Sequence, residues 1–150
     1  MKLSPFNFQT QTISNQGLAI NTYHWGKSTN GKPPVLFLHG WLDHGASWNS
    51  TATYLNTFGY RCLAVDHRGH GQSGHIPPFE EYHFVDYISD LQACVNALHL
   101  TEFILVGHSM GGTIASLFSA FCNPKPQALI LIDGLGPKHE EPSDARHRLQ

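Results

Sequence analysis

The chain has 150 residues, 41% of them hydrophobic and only 13% charged, which excludes both a disordered segment and two full-sized domains. Nine Lys and Arg against eleven Asp and Glu leave a net charge of −2, so there is no basic excess to hold nucleic acid or an anionic membrane. Three cysteines, Cys62, Cys94 and Cys122, form no C-x-x-C pair and sit in apolar stretches, as buried thiols of a reducing, cytoplasmic compartment would. The first twenty residues contain no signal-peptide pattern, and no apolar run approaches the ~20 residues that span a bilayer.

In chain order, Phe6–Ser14 and Leu18–Trp25 are two loosely alternating runs around Asn15-Gln16-Gly17, the chemistry of an antiparallel hairpin. The character then changes. Val35–Leu38, Cys62–Val65, Phe103–Val106 and Ala128–Ile132 are short and continuously apolar, as strands buried on both faces are. Between them the spacing predicts a weak helix over Ala46–Phe58 closed by Gly59. An amphipathic helix follows through Val85, Ile88, Leu91, Val95 and Leu98, and a small-residue helix over Gly111–Cys122. Alternation of strand and helix implies parallel βαβ units, hence an α/β fold.

Asp66–Pro78, rich in Gly and Pro and without an apolar period, reads as a long surface loop. Ala128–Ile132 needs a neighbour on each side, yet a polar run from Lys138 to Gln150 follows, with a helix start at Pro142-Ser143-Asp144. An element cut short is expected there, leaving an apolar strand edge open to self-association.

Directly after Phe103–Val106 comes Gly107-His108-Ser109-Met110-Gly111-Gly112. A bare G-x-S-x-G arises by chance in roughly one chain in twenty of this length, so its context decides. Here it follows a strand and opens a helix, which is the setting of a nucleophile elbow. Ser109 is the candidate nucleophile, with Gly107 and Gly111 where side chains would collide. Leu38-His39-Gly40-Trp41 ends an earlier strand. Its backbone N–H at Trp41, together with that of Met110, would make a two-donor oxyanion hole, with His39, Gly40 and His108 in support.

The ordered set HGW at 39–41, DHRGHGQSG at 66–74 and GHSMGG at 107–112 resembles the α/β-hydrolase superfamily. LHGWLD and IDGLGP are similar to its serine hydrolase-like branch, and the serine argues against the haloalkane dehalogenase branch, whose nucleophile is an aspartate. The resemblance implies an antiparallel hairpin leading into a mostly parallel sheet with helices on both faces, truncated after about the sixth strand. Residues 1–150 would be a single partial domain, with about 134–150 starting a cap segment.

It also implies a serine hydrolase that cleaves a small-molecule ester or similar acyl substrate through an acyl-enzyme on Ser109, without a cofactor. Met110 and Trp41 would be the oxyanion-hole residues, and Asp66–Gly74 a loop that shapes the pocket without doing chemistry. In this superfamily the catalytic histidine follows the last strand, so the general base is expected outside these 150 residues and the chain alone to be nearly inactive. Asp133 is an acid candidate by position, and equally a brace for the Gly-rich turn after it. His67, His70 and His75, with His39 and His44, match no zinc spacing, so no metal is expected. The rival reading is a non-catalytic pseudo-hydrolase that binds a small apolar ligand, or a half-domain that completes itself by association.

Overall fold

The computed structural model describes residues 8–29 and 31–134. The helix start at 142–144 and the polar run from Lys138 therefore lie outside the described residues. Six strands form one sheet: β1 (Gln9–Asn15), β2 (Leu18–Trp25), β3 (Val35–Leu38), β4 (Cys62–Val65), β5 (Ile104–His108) and β6 (Ala128–Ile132). Their spatial order is β1-β2-β4-β3-β5-β6, antiparallel through β1, β2 and β4 and parallel from β4 to β6. The hairpin turns at Gln16 (φ 52°) and Gly17 (φ 82°), two consecutive positive values that match the right-handed twist of the strands it joins.

Three helices cover the sheet: α1 (Asn49–Thr57), α2 (Phe84–Ala97) and α3 (Met110–Phe121). The weak helix expected over 46–58 begins as a tight 3-10 turn, Gly45–Trp48, before α1. Side chains alternate across a strand, so each continuously apolar run feeds two cores at once. Tyr23, Trp25, Val35, Phe37, Cys62, Ala64 and Val106 face α1 and its Ala52. Leu36, Leu38, Leu63, Val65 and Leu105 face Leu91 and Val95 of α2 and Ile114, Ala115 and Phe118 of α3.

β6 pairs with β5 alone, and Leu129, Ile130 and Ile132 are 38–47% exposed, so the second neighbour its composition requires is missing among the described residues. No helix among those residues is long and apolar enough to cross a membrane.

The surface-loop expectation for 66–78 is corrected at its start. Asp66, His67, Arg68 and Ser73 are buried. The Asp66 carboxylate accepts from Asn21 Nδ2 (3.0 Å), Tyr23 Oη (3.1 Å) and the backbone N–H groups of Gly45 (2.6 Å) and Gln72 (2.8 Å). Gly71 makes the turn possible: at φ 53°, a Cβ there would lie 2.3 Å from the Asp66 carboxyl carbon. Arg68 grips Asp90 of α2 through Nε (2.6 Å) and Nη2 (2.9 Å) and reaches Asp86 at 3.2 Å. Polar residues go inside here because each finds a charged or hydrogen-bonding partner from another element.

Candidate active site

At the C-terminal end of β5 the chain reverses into α3 within one residue. Ser109 takes φ 50°, ψ −117°, a conformation that costs a non-glycine residue about 1–3 kcal/mol and persists only where its surroundings impose it. Those surroundings are close-packed backbone. A Cβ on Gly107 would sit 2.4 Å from the Gly111 carbonyl oxygen, and one on Gly111 would sit 2.6 Å from the carbonyl oxygens of Leu38 and His39. The end of β3 is thereby pressed against the first turn of α3. Ser109 N–H donates to the Ile132 carbonyl at 2.9 Å, tying the elbow to the end of β6.

Gly40 follows the same logic. Its Cβ would stand 3.0 Å from His108 Nδ1 and 3.3 Å from Ser109 Cβ, so the 39–41 turn abuts the elbow. The expected site residues His39, Gly40, Trp41, Gly107, His108, Ser109, Met110 and Gly111 thus come together at the C-terminal ends of β3 and β5. Trp41, next in the chain after Gly40, is 66% exposed. The Met110 and Gly111 N–H groups precede the first bond of the helix, which Gly112 N–H donates to the Ser109 carbonyl at 2.9 Å, and they carry the positive end of the helix dipole.

The His39 ring is fully buried and holds the turn. Its Nε2 accepts the His67 backbone N–H at 3.0 Å, so the proton resides on Nδ1, which donates to the Gly40 carbonyl at 2.6 Å. His67 replies by donating from Nε2 to the His39 carbonyl at 3.1 Å. Burial pushes both imidazoles below the ordinary histidine range, and their neutral tautomers are set by these bonds. His70 donates from Nδ1 to the Arg68 carbonyl at 3.0 Å. No histidine ring hydrogen-bonds the Ser109 hydroxyl among the described residues, and no group of three His, Cys, Asp or Glu there could hold a metal.

Asp133 follows β6 with φ 50° and is exposed. Its successor Gly134 stands in the IDGLGP stretch, which gave it no role at the elbow. A Cβ at Gly134 would lie 2.6 Å from the Ser109 carbonyl oxygen, so this turn packs on the back of the elbow. His67, part of the DHRGHG string and weighed in the sequence only as a metal ligand, instead braces the 39–41 turn.

Comparison with known proteins agrees with this geometry. Residues 33–150 match the family described as the alpha/beta hydrolase fold. A serine hydrolase-like protein of Danio rerio is 39% identical over 112 residues, 75% of this chain and 33% of that protein, so the chain spans about a third of its relative's length. Among solved structures, a thioesterase domain from the curacin biosynthetic pathway superposes with TM-score 0.80 at 28% identity, over 94% of this chain and 52% of that one. An epoxide hydrolase from Vigna radiata gives 0.81 at 26% identity, over 97% and 48%. With the elbow, the sheet order and the family match in agreement, the chain belongs to the α/β-hydrolase family.

Proposed function

We propose that this chain carries the nucleophile and oxyanion hole of a serine hydrolase acting on an ester or similar acyl substrate. The observation that supports this most is the strained Ser109 backbone, which is maintained by four glycine contacts and has little use outside catalysis. Ser109 Oγ attacks the acyl carbonyl, and the N–H groups of Met110 and Trp41 hold the oxyanion. A histidine outside these 150 residues takes the serine proton and returns it to the leaving group, and water then releases the acyl group. Asp133, which follows the β6 end that Ser109 N–H bonds, takes the part of the acid in this scheme.

His39 and His67 are unsuited to the base role, because ring nitrogens of both are committed to backbone groups and burial weakens their affinity for a proton. The test is labelling by a fluorophosphonate probe in a lysate of the source cells, with peptide mass mapping. The label is expected on Ser109 and absent from Ser109→Ala. An unlabelled Ser109 in folded protein would overturn the reading and leave the non-catalytic binder. The 150-residue chain alone is expected to retain no more than ~10³–10⁴ over the uncatalysed hydrolysis of an activated ester. Serine-dependent turnover well above that would place the base inside the chain.

A further inference from the structure

At the end of the sheet opposite Ser109, where β2 finishes and β3 and β4 begin, there is an open groove of about 540 Å³. His24, Gly26, Lys27, Ser28, Pro34 and Arg61 supply most of its lining. The size falls within the range of small-molecule sites, and four separate chain segments, Gln9 among them, contribute to it.

The groove is electropositive for a reason visible in the sequence. Residues 1–65 carry four cationic side chains, Lys2, Lys27, Lys32 and Arg61, and a single carboxylate, Asp43. Asp43 lies beyond the C-terminal end of β3, on the Ser109 side of the sheet, where the Ser47 hydroxyl bonds it. Glu102, ahead of β5, lines no part of the groove. Lys32 is engaged elsewhere, donating to the Phe58 carbonyl at 2.8 Å and lying 4.6 Å over the Tyr60 ring. Among the described residues the ion pairs all belong to Arg68, so neither Lys27 nor Arg61 has a carboxylate within pairing distance.

His24 reports the same field. Thr22 Oγ1 gives its proton to the Gln11 carbonyl (2.9 Å), so its 2.8 Å contact with His24 requires the imidazole Nε2–H as donor. Nδ1 is then the nitrogen left to titrate, and burial together with the Arg61 cation pushes the ring down to about 4. Two cations that line one concavity and have no carboxylate partner among the described residues raise the local concentration of anions and bind best a ligand that bridges both.

We propose that this groove binds a small polyanion, a molecule bearing phosphate or carboxylate groups, clasped between Lys27 and Arg61 with the Ser28 hydroxyl as a further donor.

The test is an NMR titration of the ¹⁵N-labelled chain with pyrophosphate and, separately, with citrate, each against sodium chloride of matched ionic strength. Saturable shifts are expected at the Gly26, Lys27 and Ser28 amides, with the His24 pKa rising by about one unit or more on binding. Saturation by pyrophosphate points to a phosphate ligand and saturation by citrate to a carboxylate one; either supports the site. Lys27→Gln, at an exposed position, and Arg61→Gln should each weaken binding about tenfold, while fluorophosphonate labelling of Ser109 stays at the parental level. Shifts that chloride reproduces, or affinities that both variants leave unchanged, would overturn the proposal.

Discussion

Replacing Asp66 with alanine should be among the most damaging single changes outside the elbow. The side chain is fully buried, and three of its four donors, Asn21 Nδ2, Tyr23 Oη and the Gly45 N–H, belong to buried residues. Each buried donor left without a partner costs ~1–3 kcal/mol, and water entering the vacated space holds the sum near the low end, about 3–5 kcal/mol. A domain of this size has about 5–15 kcal/mol in all. The assay is urea unfolding followed by circular dichroism, where the midpoint should fall with little change in slope.

Asp66→Asn isolates the charge. Its single oxygen can serve the three donors now on Oδ2, but its amide then meets the Gly45 N–H, donor against donor. Tyr23, pushed up to about 12 by burial and by the Asp66 carboxylate, should titrate at a lower pH in this variant, as near-ultraviolet absorbance would show. A loss under about 0.5 kcal/mol in Asp66→Ala, the range of an ordinary surface change, would refute the reasoning.

Three further outcomes are expected. His24, His39 and His67 all titrate below the ordinary histidine value when folded, so their stabilisation is complete above about pH 6.5 and is lost as pH falls. The urea midpoint should therefore drop between about pH 7 and pH 5, less steeply in His24→Gln; a flat profile would contradict this. Gly107→Ala forces a Cβ 2.4 Å from the Gly111 carbonyl oxygen, and the displaced elbow should lose on the order of a hundredfold in fluorophosphonate labelling while circular dichroism is retained. Arg68→Met strands the buried Asp90 carboxylate and should cost about 3–5 kcal/mol, much of it recovered in Arg68→Met/Asp90→Leu; additive losses in the urea double-mutant cycle would argue against the pairing.

The strands, the helices and the elbow were legible because their signals are local. A four-residue apolar run, a three-four spacing and a Gly-x-Ser-x-Gly turn each express a constraint among neighbours in the chain, and Ser109 sits where those constraints place it. Asn15-Gln16-Gly17 announced its hairpin for the same reason: two adjacent positive φ values are a property of two adjacent residues. The tail of the sheet was legible too, since ALILI with one neighbour leaves apolar surface in water.

Misreading the start of 66–78 as surface has an equally definite cause. Asp66 is satisfied by Asn21, Tyr23 and Gly45, at separations of 45, 43 and 21 positions, and His39 is locked by a residue 28 positions away. Whether a polar side chain is solvated or buried depends on partners that only the crossing of β2, β3 and β4 brings within reach. Gly134 behind the elbow and the cations around His24 have the same origin. The sequence alone determined which elements form and which serine stands at their turn. Tertiary structure decided what surrounds that turn, because hydrogen bonds and charge pairs between distant segments exist only once the sheet order has joined them.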